Sequence, residues 1–157
     1  MRSILIFFIT LFFSWNTALA QPELSKIRSL FLTASNNKTS CELFKKECDK
    51  LASSLSTTIQ GYRACSKMMS AKYFINPLTK LTEFKQGKQQ LEHCIQKDPN
   101  NIELIYIRYS IQTHVPSFLG YSSDLDQDKQ KLKQASTNLT DLELKKNIIA
   151  YIAQNLH

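Results

Sequence analysis

The segment Ile102-Glu103-Leu104-Ile105-Tyr106-Ile107-Arg108-Tyr109-Ser110-Ile111 is apolar nearly all round a helical turn. A helix without a solvent face has to be surrounded by other elements. The chain that carries it must therefore supply neighbours on every side. Elsewhere the apolar residues recur mostly three and four apart, which is the helical period, and strand-like alternation is scarce. The chain has only three glycines and four prolines, which punctuate rather than fill it. The expected fold class is all-α, an array of antiparallel helical hairpins with about six to seven helices.

Start and stop signals divide the chain. A first helix is expected over about 23–34, with Leu24, Ile27, Leu30 and Phe31 on one side, followed by a turn at 35–38. Thr39 and Glu42 read as a capping box for a second helix, which carries Leu43, Phe44, Leu51 and Leu55. A third helix is expected over about 58–74. Asn76-Pro77 then restarts the chain as a cap followed by proline at the first helical position. The fourth helix places Leu78, Leu81, Phe84, Leu91, Cys94 and Ile95 on one stripe and ends at Asp98-Pro99. Asn100 is expected to cap the apolar fifth helix, with Glu103 three residues on, and Val115-Pro116 to stop it. A sixth helix follows over about 124–138, with a thin stripe of Leu125, Leu132, Ala135 and Leu139. Thr140 and Glu143 read as a capping box for a last helix that turns Leu144, Ile148, Ile149, Ile152 and Leu156 inward.

The first residues carry a different signal. Arg2 precedes the apolar run Ile4–Phe13, and Ala18-Leu19-Ala20 supplies small residues at the −3 and −1 positions. This is the pattern of a cleavable signal peptide over 1–20, leaving 21–157 as a single all-helical domain. Spanning a bilayer takes roughly 20 apolar residues, and Ser14, Trp15, Asn16 and Thr17 interrupt the run too early. The expected location is outside the cytoplasm, periplasmic or extracellular. A net charge of +7 suits acidic surfaces such as envelope polymers or anionic headgroups. The lysines are spread along the chain as solvated helix faces are, and nucleic-acid-binding motifs are absent, so no nucleic-acid partner is expected.

An exported chain permits disulfides. Cys41 and Cys48 sit in one expected helix, about 10.5 Å apart along its axis, beyond the roughly 6.8 Å that a disulfide spans between Cα atoms. The open pairings are 41–65 with 48–94, 41–94 with 48–65, a single bridge, or four free buried thiols. Asn37-Lys38-Thr39 and Asn138-Leu139-Thr140 match the glycosylation triplet, which matters only in a eukaryotic secretory pathway.

The stretch Phe84–Asn101, Phe-Lys-Gln-Gly-Lys-Gln-Gln-Leu-Glu-His-Cys-Ile-Gln-Lys-Asp-Pro-Asn-Asn, resembles the second helix of a tetratricopeptide repeat with its closing turn. Phe84 stands where that motif has an aromatic, and Gly87 and Cys94 where it has small residues that let neighbouring helices approach. Asp98-Pro99-Asn100-Asn101 matches the turn between repeats. The resemblance implies an array of helical hairpins, and such arrays present concave surfaces to partners.

The densest polar cluster in an apolar setting is the segment Arg108–Tyr121. Arg108 and Gln112 are four apart and share a helix face, with His114 and Tyr121 following. The functional reading is a binding site in which Arg108 grips a carboxylate or a peptide terminus as a forked donor. The structural reading is an internal ion pair of Arg108 with Glu103 or Asp124. His114 with Ser117 lacks the turn and the acidic orienter of a nucleophilic site. No cysteine or histidine pair has a chelating spacing. No catalytic residue, metal or cofactor is assigned. The expectation is a non-enzymatic module that binds a protein or peptide. The alternative is a small-ligand-binding protein or enzyme built on Arg108, Gln112, His114 and Tyr121.

Overall fold

The computed structural model describes residues 20–155. The signal peptide expected over 1–20 and the inward Leu156 therefore lie outside the described residues, apart from Ala20. The chain is all-α: α1 (Ala20–Thr33), α2 (Lys38–Lys50), α3 (Thr57–Ala71), α4 (Pro77–Lys97), α5 (Ile102–Gln112), α6 (Leu125–Asn138) and α7 (Leu142–Gln154), with a 3-10 turn at Ser117–Leu119 between α5 and α6. Among the described residues there is no strand.

Consecutive helices pack together throughout. In addition α1, α3, α5 and α7 touch in sequence, while α2, α4 and α6 make no contact with one another. The result is two layers. The first helices of the pairs α1–α2, α3–α4 and α5–α6 form an inner row that α7 extends. The other three helices back that row. Residues 103–112 of α5 are all buried, as a helix apolar on every side requires. Phe31, Phe44, Tyr62 and Tyr106 join α1, α2, α3 and α5 in one aromatic cluster, with Phe31 5.3 Å from the Tyr62 ring and 5.8 Å from that of Tyr106. Glu47 of α2 accepts from Lys26 of α1 and from Lys50, at 2.6 Å each. These bonds hold its carboxyl down at about 2.

The helices start close to the expected positions but on different caps. Asn37, not Thr39, caps α2 by accepting from the Ser40 amide at 2.8 Å. Asn101, not Asn100, caps α5, because its side chain is also tied to α3 through Thr58 Oγ1 and to Asp98, at 2.9 Å each. Asp141, not Thr140, caps α7 at 3.0 Å from the Leu144 amide. Glu143 is drawn away from a capping box by Ser25 and Arg28 of α1. Asn76 and Pro77 open α4 as expected. The apolar stripes differ at their ends. Leu43, Leu55, Leu78, Leu81 and Ile149 are exposed. α4 has 21 residues against 15 in α3, so part of it extends beyond the partner helix. The four cysteines are buried and unpaired. Burial pushes the Cys48 thiol up to about 12, against a hydrogen bond to Ser66, so it is not a reactive thiolate at neutral pH.

Gly87 shows why the α3–α4 pair is so tight. A Cβ there would lie 2.8 Å from the Ala64 carbonyl and 2.6 Å from Met68 Cγ. The carbonyl cannot yield without moving α3. We expect Gly87→Ala to lose about 1–3 kcal/mol by urea unfolding, although alanine is about 1 kcal/mol the better helix former. A gain in stability would show that the helices have room.

Candidate functional site

Two arginines organise the polar interior. Arg28 of α1 donates through Nε and Nη2 to the two oxygens of Glu103 in α5, at 2.7 Å each. Nη2 also reaches Asp141 at 2.8 Å and Nη1 reaches Glu143 at 3.1 Å, both at the start of α7. Tyr62 of α3 donates to Glu103 at 2.7 Å. Burial alone would lower the Arg28 guanidinium, but the Glu103 carboxylate and the two α7 carboxylates outweigh it and hold it above its usual range. The cluster joins all four helices of the inner row.

Arg108 makes the second cluster, on the other side of α5. Nε and Nη2 donate to Asp128 of α6 at 2.7 and 2.8 Å, and Nη1 donates to Glu92 of α4 at 2.9 Å. The Asp128 side chain is 0 % exposed. The expected partner Asp124 is near, at 3.9 Å. The other expected partner, Glu103, instead belongs to Arg28. Burial opposes the charge on Arg108, but the surrounding Asp128, Glu92 and Asp124 raise it above the usual arginine range.

Of the four sequence-derived candidates, the structure joins two. Tyr121 donates to Glu92 Oε1 at 2.5 Å, so Glu92 bridges Arg108 and Tyr121 and latches the α5–α6 loop onto α4. Lys88 lies 4.6 Å from the centre of the Tyr121 ring and donates to the Gly120 carbonyl. That loop turns at Gly120, whose φ of 59° falls in the left-handed region. Gln112 is 3 % exposed and neither of its side-chain amide atoms has a partner. His114 lies apart from Arg108, with Nδ1 3.0 Å from Thr113 Oγ1 and from Tyr151 Oη and 3.2 Å from the Ser110 carbonyl.

His114 and Tyr151 border a half-open groove of about 1360 Å³. The last turns of α1 and α3, α5 from Tyr106 onward and α7 from Lys146 onward line it, together with the first turns of α4 and the loop after α5. Leu32, Met68, Met69, Leu81, Phe84 and Phe118 make its walls largely apolar. Tyr106 lies against it at 1 % exposure, its hydroxyl buried beside Ser110, whose own hydroxyl bonds to the Tyr106 carbonyl. Burial pushes the Tyr106 phenol up. Among the described residues no carboxylate lines the groove, whereas Lys72, Lys80 and Lys146 do. Among the described residues no three or more His, Cys, Asp or Glu side chains are placed to hold a metal ion. Nor is any described helix long and apolar enough to cross a membrane.

The groove went unread in the sequence because Met68, Met69 and Ile111 have the spacing of core residues. The ion clusters did leave a signal. Arg28 lies between Leu24 and Phe31 on the apolar side of α1, and Asp128 between Leu125 and Leu132 on that of α6. Charged residues at stripe positions are seldom buried unless paired.

The fold and the groove define an all-α helical array with an open apolar inner surface. No protein-family model matches this chain, and no curated protein or solved structure does either.

Arg108 and Asp128 give a direct test of the second cluster. We expect Arg108→Ala to cost about 3–5 kcal/mol in urea unfolding, because Asp128 is left buried without a counter-charge. Arg108→Met combined with Asp128→Leu should restore much of that loss. A small effect of Arg108→Ala would mean that water reaches Asp128.

Proposed function

We propose that this protein is an exported helical module that binds another protein, holding a segment of it in the groove. The groove carries the reading. An apolar surface of this size, left open across four helices, is what an interaction site needs and what a self-contained core avoids. Its volume exceeds the roughly 300–1,000 Å³ of most small-molecule sites, and methionines on its wall suit a guest of variable shape.

Several features support the finer reading of a tetratricopeptide-like array. The segment Phe84–Asn101 spans most of α4 and its closing turn, and α4 is the second helix of its pair. At Gly87 the α3 backbone is near enough that a Cβ would meet the Ala64 carbonyl. The groove lies along the first helices of the pairs. Export rests on the charged start, the apolar run Ile4–Phe13 and Ala18-Leu19-Ala20. The small-ligand alternative has less support, since Arg108 and Tyr121 spend their polar groups on Asp128 and Glu92.

Crosslinking in the producing cells tests the reading. The expected result is a stoichiometric partner whose crosslinks map to Lys72, Lys80 and Lys146 and disappear in a Leu32→Asp/Phe118→Asp variant that still folds. Crosslinks confined to other faces, or unchanged in that variant, would sink it.

A further inference from the structure

We infer that the groove selects an acidic amphipathic helix, a partner segment with one apolar face and carboxylates flanking it. This inference rests on the protein-binding reading above and adds the chemistry of the guest. The first observation is the charge of the lining. Lys72 at the end of α3, Lys80 at the start of α4 and Lys146 in α7 come from three separate elements and converge on one groove. All three are exposed. Elsewhere Lys26, Lys38, Lys45, Lys50 and Lys67 are matched with carboxylates of the chain. Among the described residues Lys72, Lys80 and Lys146 have no such match, and neither do lysines on other faces such as Lys85, Lys131 and Lys133; what sets the three apart is that they share one apolar groove, where Lys72 rests 4.9 Å from the centre of the Tyr73 ring. With no carboxylate among the described lining residues, the charge they carry has a single sign over an apolar floor. Low-dielectric walls of that kind focus the potential.

The second observation is the shape and chemistry of the walls. Phe118, in the loop after α5, is 83 % exposed and Leu32, in α1, 50 %, and both line the groove. Exposed side chains of this kind are what the apolar face of a guest helix would cover. A helix laid in the groove with glutamates or aspartates toward the rim meets the lysines at the edge, where ion pairs govern selectivity and association rate more than total affinity.

The test uses a fluorescein-labelled 14-residue synthetic helix with leucine and phenylalanine on one face and glutamate on the other, and a twin in which every glutamate is lysine. Binding to the full exported chain is read by fluorescence anisotropy at two salt concentrations. The expected result is that the acidic peptide binds at least ten-fold more tightly than its twin and weakens as salt rises. A Lys72→Glu/Lys80→Glu/Lys146→Glu variant should reverse the preference. Lys131→Glu/Lys133→Glu on α6, with the same charge trend away from the groove, should leave a clear preference for the acidic peptide. Equal binding of the two peptides, lost in Leu32→Asp/Phe118→Asp, would overturn the acidic selection and leave the binding reading standing. Binding of neither peptide would overturn both. Saturable binding of dodecanoate that needs the same three lysines, with neither peptide competing, would overturn the helix as guest in favour of a single-chain amphiphile.

Discussion

The ion pair between Arg28 and Glu103 is the contact on which the inner row depends. Two bonds of 2.7 Å in a buried setting fix α1 against α5 in both distance and angle. Tyr62 adds α3 through the same carboxylate, and Asp141 and Glu143 add α7 through the same guanidinium. Buried charges of this kind are a costly way to gain stability, but removing one partner leaves the other uncompensated. The pair therefore specifies an arrangement more than it adds cohesion. Asp141 joins two scales of structure, since it caps α7 and binds the α1 arginine. Burial would raise its carboxyl, but the Leu144 amide and Arg28 outweigh that and hold it low.

The clamp sits toward one end of the inner helices and the groove toward the other. Arg28 precedes Phe31 and Leu32 in α1, Tyr62 precedes Met68 and Met69 in α3, Glu103 precedes Ile111 in α5, and Asp141 and Glu143 precede Tyr151 at α7. The four helices thus run in the same direction. They are held together at their earlier turns and left with an apolar face open at their later ones. The Arg108 cluster does separate work. It fastens α6 and the α5–α6 loop to the back of α5 and α4, so that Phe118 and Leu119 stand at the groove's edge.

What the sequence disclosed follows from where the determining forces act. The central α5 was legible because burial on every side leaves apolar residues on every side. The restart at Asn76-Pro77 was legible because both residues act locally. The caps of α5 and α7 were misplaced by one residue because neighbouring polar residues compete locally. The choice is made by distant partners, Thr58 for Asn101 and Arg28 for Asp141. Arg108 was recognised as a buried arginine in need of partners, but its main partner Asp128 was not, although its place on the thin apolar stripe of α6 was visible. The groove itself was hidden. A residue that lines an open inner surface and one that lines a closed core have the same helical spacing, and only the packing of the later turns tells them apart.

The most direct measurement is a double-mutant cycle on the clamp: Arg28→Met, Glu103→Gln and the two together, each followed by urea unfolding. The account predicts a loss of about 3–5 kcal/mol for each single change. It predicts a loss for the pair smaller than their sum by about 0.5–3 kcal/mol, because the second change removes a charge already left alone. Additive losses would contradict it. They would mean that Arg28 and Glu103 do not hold each other, and that something else sets the row in which the groove is formed.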